Sequence, residues 1–224
     1  MYKFGWGFVL SIILLVNATG AVPTSKVMNG IQQRFEEIKD YQATLTQVNV
    51  DAIGQKTVYY GEVYFKKPQK IRVVYFDSSR TKPQQISITD GKFIWMYTSE
   101  LNQVTKQKFD PKALPLPLLV LGGASRIDEG FRDKNYIKPI ERVKVNGVKA
   151  LSIIVKPKNK NPDYKEQTLW VDQDTYLPVK AEVADTQGNL STITFKDSAC
   201  DSGLDDSLFV MNKKKGVHWV DMTQ

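Results

Sequence analysis

The sequence predicts a mainly β chain with a few helices (an α+β class) built on about eleven antiparallel strands. Three observations lead there. From Tyr41 onward, apolar residues recur with a period of two in short runs rich in β-branched and aromatic side chains. Turn chemistry (Gly54, Asp90-Gly91, Asn146-Gly147) separates these runs by few residues, and connections so short make consecutive strands antiparallel neighbours. Several runs are apolar on both faces, which a sheet with one wet face does not show.

The chain begins with an export address. Lys3 supplies a positive start, Phe8 to Val16 an apolar core, and Ala18 to Ala21 small residues for cleavage after Gly20 or Ala21. The apolar run is shorter than the ~20 residues of a membrane-spanning helix. No Cys stands at the cleavage point, so the chain is not expected to carry a lipid itself. Residues 1–21 are expected to be a cleaved signal peptide and 22–224 a single exported domain. Those 203 residues suffice for one sizeable core and carry net charge +6, against +7 for the whole chain. Export makes nucleic acid a poor match for this charge. Acidic partners or anionic headgroups fit it better.

Composition excludes much chemistry. Cys200 is the only cysteine, so no disulfide forms within the chain. His218 is the only histidine and lies in the last seven residues, a poor place to hold a catalytic base. Cys/His metal sites fail on count, and no calcium-loop spacing is visible. No enzyme activity, cofactor or metal is expected.

Thr24 or Ser25 can cap a first helix, with Val27, Ile31, Phe35 and Ile38 on one face, running to about Asp40. Strands are expected at Tyr41–Val50, Thr57–Lys66, Lys70–Phe76, Gln84–Thr89, Lys92–Tyr97 and Gln103–Phe109. Asp110–Gly123 interrupts them with three prolines, an apolar Leu118-Leu119-Val120-Leu121 run and a helix-stopping glycine pair. It is either buried core or a mobile lid. Strands resume near Tyr136, with a clear Asn146-Gly147 hairpin between Ile140–Val145 and Val148–Val155. Gln167–Val171, Leu177–Ala184 and Leu190–Lys196 continue the meander, and Gly216–Met222 closes it.

A sandwich, a closed barrel or a half-open barrel would accommodate these strands. Phe93, Trp95 and Tyr97 fall on one face, with Ile94 and Met96 on the other; Val58, Tyr60 and Tyr64 likewise oppose Tyr59, Val63 and Phe65. Such strands are covered on both sides, or one side lines an apolar cavity. The expected helices fill a concave side only partly, leaving an apolar cleft.

Motifs in order then carry a family resemblance. They are Tyr41-Gln-Ala-Thr-Leu-Thr-Gln47, Gly61-Glu-Val-Tyr-Phe-Lys-Lys-Pro68, Asp90-Gly91-Lys92 with Trp95 and Tyr97, Asn102-Gln103-Val104, Asp185–Phe195, and Phe209 with Gly216-Val217. Together they resemble the LolA family of periplasmic lipoprotein carriers. The resemblance implies an incomplete antiparallel barrel, with an N-terminal helix and lid helices covering a hydrophobic cavity. It implies a monomeric carrier of triacylated lipoproteins as cargo, taken from an ATP-driven inner-membrane transporter and passed to an outer-membrane acceptor lipoprotein. It also implies no catalysis. Val63, Phe65, Ile71, Val73, Trp95 and Tyr97 are the expected wall, and Leu116, Leu118, Leu119 and Leu121 the expected lid contacts with lipid. Lys67 stands where the family commonly has an Arg that tethers the lid; it keeps the charge and loses the planar fork of donors. Val73 replaces a frequent aromatic, and Lys213–Lys215 a usual proline. A carrier of free lipid or glycolipid, or an envelope-stress sensor, is the alternative reading.

Overall fold

The computed structural model describes residues 22–110, 133–160, 162, 164–213 and 215–223. The expected signal peptide and the Leu-rich segment, with Leu116, Leu118, Leu119 and Leu121, lie outside the described residues.

Helix α1 spans Thr24–Glu37 and buries Val27, Met28, Ile31 and Phe35, the face its periodicity predicts. Its start and end differ from expectation. Pro23 occupies the N-cap without a side-chain cap, and Thr24 is already helical. The helix stops at Glu37 because Ile38 turns extended, and Asp40 already belongs to the first strand.

The strands are β1 Asp40–Val50, β2 Lys56–Lys66, β3 Lys70–Phe76, β4 Pro83–Thr89, β5 Phe93–Thr98, β6 Gln103–Lys108, β7 Asn135–Ile137, β8 Glu141–Val145, β9 Val148–Pro157, β10 Tyr164–Asp172, β11 Pro178–Asp185, β12 Leu190–Cys200 and β13 His218–Asp221. They form one sheet in the order β13-β6-β5-β4-β3-β2-β1-β12-β11-β10-β9-β7, with β8 also on β9. Among the described residues nothing pairs β13 with β7, so the sheet is unclosed. The count is thirteen described strands and not about eleven. Nor are all neighbours antiparallel: β13 runs parallel to β6, because residues 201–217 carry the chain back across the sheet before it pairs. β12 also outruns its expected end at Lys196. A register shift opposite Gln42 and Thr44, with Asp197 at φ 51°, absorbs an irregularity and lets pairing continue to Cys200.

Register defines two faces. On the inner face one row is Tyr41, Phe65, Ile71, Thr89, Ile94 and Gln107; the next is Ala43, Val63, Val73, Ser87, Met96 and Thr105. On the outer face the rows are Gln42, Tyr64, Arg72, Ile88, Trp95, Lys106 and Thr44, Glu62, Val74, Ile86, Tyr97, Val104. Gly61 sits among these rows where a Cβ would lie 2.3 Å from the Val74 carbonyl oxygen, so the strands approach closely only because it has none.

The main core lies on the inner face. The apolar face of α1 packs with Tyr41, Ala43, Leu45, Val63, Phe65, Ile71 and Val73, and with Ile153, Leu169 and Phe195 from the far half of the sheet. A second, smaller core forms on the outer face, where Leu204 and Phe209 cover Ile88. Asp40 anchors the start of that covering strap: its buried carboxylate accepts the backbone N–H groups of Ser202, Gly203 and Leu204 at 2.8, 3.0 and 3.2 Å. Three such bonds satisfy a buried charge that would otherwise be costly.

Candidate functional site: the inner face of the sheet

The inner face changes along its width. Under α1 it is closed: Val63 and Phe65 are 0% and 1% exposed, and Ile71 and Val73 are also buried. Toward β5 and β6 the same rows become only partly buried at Ile94, Met96, Thr105 and Gln107. Ile94 and Met96 are thus apolar positions that no described residue fully covers, separated from the packed core by Thr89 and Ser87 on the same rows. Such partly covered apolar positions beside a core suit a site that takes an apolar ligand.

Polar groups bound the opposite margin, near the β1–β2 and β11–β12 turns. The Tyr75 hydroxyl donates to Gln47 Oε1, while Gln47 Nε2 donates to Asn49 Oδ1 at 2.9 Å and Ser191 Oγ at 3.1 Å. Burial pushes the Tyr75 phenol up to about 12, so it stays a neutral donor. Tyr59 lies edge-on to Tyr75 with ring centroids 6.1 Å apart and is 39% exposed. No group of three or more His, Cys, Asp or Glu residues placed to hold a metal occurs among the described residues.

The structure brings together four of the six residues expected to form the wall. Val63, Phe65, Ile71 and Val73 share the inner face; Trp95 and Tyr97 do not join them. Register pairs Trp95 with Ile88 and Tyr97 with Ile86, all on the outer face. Ile94 and Met96 take the inner positions instead. Their alternation was visible in the sequence, and what hid the assignment was the outer core: with Ile86 and Ile88 covered by the strap, the outer parity of β4 and β5 is apolar too. Lys67 lies beside the end of α1, where its Nζ donates to the Glu36 carbonyl and its backbone N–H to the Lys39 carbonyl at 3.0 Å.

An unclosed, mostly antiparallel sheet whose inner face is packed by an N-terminal helix, with partly exposed apolar positions beside it, accords with the comparison with known proteins. The sequence profile of the family "Outer membrane lipoprotein carrier protein LolA" matches residues 36–212. The chain belongs to the LolA family. Among LolA-type relatives, the outer-membrane lipoprotein carrier protein of Histophilus somni (strain 2336) is 27% identical over 214 residues, covering 95% of each chain. The namesake from Methylococcus capsulatus is 26% identical over 220 residues, covering 97% of each. An uncharacterized conserved protein from Thermus thermophilus superposes with a TM-score of 0.58 at 10% identity, covering 88% of this chain and 98% of that one. A chain of the Pseudomonas aeruginosa MucA/MucB complex gives 0.52 at 15% identity, covering 84% of this chain and 60% of that one. These two likenesses establish the fold alone. Within the LolA fold, no helix among the described residues is long and apolar enough to cross a membrane.

Proposed function

We propose that this chain is a periplasmic carrier that takes up the acyl chains of triacylated lipoproteins and shuttles them from the inner to the outer membrane. The LolA-family match over residues 36–212 carries the reading, and its relatives bear the name of outer-membrane lipoprotein carriers. The inner face supports it physically. Beyond Thr89 and Ser87, Ile94 and Met96 stand on the same inner-face rows as Val63, Phe65, Ile71 and Val73 and offer partly exposed apolar contacts for acyl chains. In this reading residues 1–21 are a cleaved signal and 22–224 the carrier, working as a monomer. Leu116, Leu118, Leu119 and Leu121 form a lid that trades contacts with the sheet for contacts with cargo. Lys67 tethers the closed state, and its bond to the Glu36 carbonyl couples it to α1. An ATP-driven inner-membrane transporter supplies cargo, and an outer-membrane lipoprotein accepts it.

The chemistry requires balance and no catalysis. A buried CH₂ is worth about 0.8 kcal/mol, so long acyl chains offer more than a reversible carrier can use. Lid opening, chain ordering and polar desolvation take most of it back. Conditional depletion tests the reading: outer-membrane lipoproteins should accumulate at the inner membrane. Their normal sorting after depletion would sink it. Mass spectrometry of protein purified from the periplasm should show bound triacylated lipoprotein; phospholipid alone would favour a free-lipid carrier or envelope sensor.

A further inference from the structure

The outer face carries a cleft of its own, on the side of the sheet opposite the inner face. Residues 204–213 and 215–217 cross this face as a strap, and beneath it a cleft of about 270 Å³ opens between the strap and β3–β6. Its sheet side is Arg72, Ile86, Tyr97 and Val104, and its strap side includes Met211 and Val217. Pro83, Val210 and Asn212 complete the lining, so seven of the nine residues are apolar or aromatic and Asn212 joins Arg72 as the polar ones.

Arg72 gives the cleft its specificity. Its Nη1 donates to the Leu208 carbonyl at 3.0 Å, in the short 3-10 turn Asp206–Phe209. Among the described residues no carboxylate pairs with it. The six ion pairs of the described residues fall elsewhere: Lys66 and Lys70 on Asp206, Lys106 on Asp221, Lys138 and Lys156 on Glu166, and Lys180 on Glu182. Glu62 accepts the Tyr64 hydroxyl at 2.7 Å and favours the Arg72 cation through space, without forming an ion pair with it. A half-buried guanidinium thus keeps planar donors available at the end of an apolar slot. That fork matches a carboxylate in two-point contact, and an arriving anion adds to the partial offset of its desolvation that Glu62 and the Leu208 carbonyl already supply.

We propose that this cleft binds an amphiphilic monocarboxylate, such as a medium-chain fatty acid, with its head on Arg72 and its alkyl body between the strap and Ile86, Tyr97 and Val104. The ligand bridges strap and sheet, so binding it stiffens the strap. The site faces away from the inner face, so occupancy is independent of cargo.

The position of the tryptophans supplies a selective readout. The three that follow the signal, Trp95, Trp170 and Trp219, lie on the outer parity of their strands. Trp95 is two residues from Tyr97, and Trp219 is registered with Val104, so two of the three flank the cleft. Titrating the purified mature protein with 11-bromoundecanoate should quench part of this fluorescence saturably, whereas 11-bromoundecanol should quench far less at equal concentration. Arg72→Met should weaken the carboxylate about ten- to a hundredfold, and Arg72→Lys should retain much of it. Ile94→Glu, on the inner face, should impair lipoprotein carriage and leave the quenching unchanged. Equal quenching by acid and alcohol in the wild type would overturn the proposal without reference to any variant's folding. Quenching abolished by Ile94→Glu would overturn it as well, by placing the probe on the inner face.

Discussion

The inner face of this sheet does two different things at its two ends. Under α1, Phe65 and Val63 belong to a core as closed as that of any compact domain, shared with Ile31, Phe35 and Leu169. Three strands away, Ile94 and Met96 stand on the same rows only partly buried. Alternation alone would make these positions equivalent, yet helix coverage divides them. The same side-chain chemistry is fully buried where α1 covers it and only partly covered at β5, among the described residues.

Truncation should separate the two ends most sharply at Phe65. Phe65→Ala empties a fully buried site and should cost about 3–5 kcal/mol, lowering the urea midpoint with little change in slope. A loss below about 1 kcal/mol would show that the face under α1 is not a closed core. Next in size is an alkaline effect at Tyr75, whose ring packs at the margin of that core. Burial holds its phenol near 12, against about 10 in the unfolded chain. Between these values the unfolded state releases a proton that the folded state keeps, so stability falls as pH rises through this window and is intact below it. Tyr75→Phe should flatten the decline of the urea midpoint between pH 10 and 12. An unchanged slope would place the phenol in water. Lys67→Leu removes the bond to the Glu36 carbonyl and should cost about 1 kcal/mol. Amide exchange should quicken in the last turn of α1; unaltered exchange there would deny that Lys67 holds the helix down.

How much of this was legible in the sequence varies by element. Period-two patterning and turn residues placed β3 at its observed ends, Lys70–Phe76, and most other strands within a few residues. Asn146-Gly147 gave its hairpin outright, with both residues at the positive φ that such a turn requires. Two features were hidden because they depend on distant contacts. The parallel pairing of β13 rests on where a strap lands after crossing the sheet, which no local pattern encodes. The face of Trp95 and Tyr97 was obscured for the same reason, since Leu204 and Phe209 make the outer side of β4 and β5 apolar. Motif order carried the family where individual strands could not. Arg72, within a strand of alternating Ile, Val and Tyr, gave no sign that it would lie beneath a strap.

Met96 provides the finest test of the comparison, because stability and function should part company there. It is only partly buried, so Met96→Ala should cost at most about 1 kcal/mol and leave the far-ultraviolet spectrum and unfolding slope unchanged. If acyl chains lie along the open end of the inner face, the same change removes apolar contact from every bound chain. Released lipoprotein should then be captured less efficiently, by a few-fold, in a spheroplast release assay with purified carrier. Phe65→Ala should lose capture only in proportion to the fraction unfolded. Met96→Ala should lose it while fully folded. Equal capture by Met96→Ala and wild type, at matched folded concentration, would move the cargo off β5 and return the open end of the face to ordinary surface.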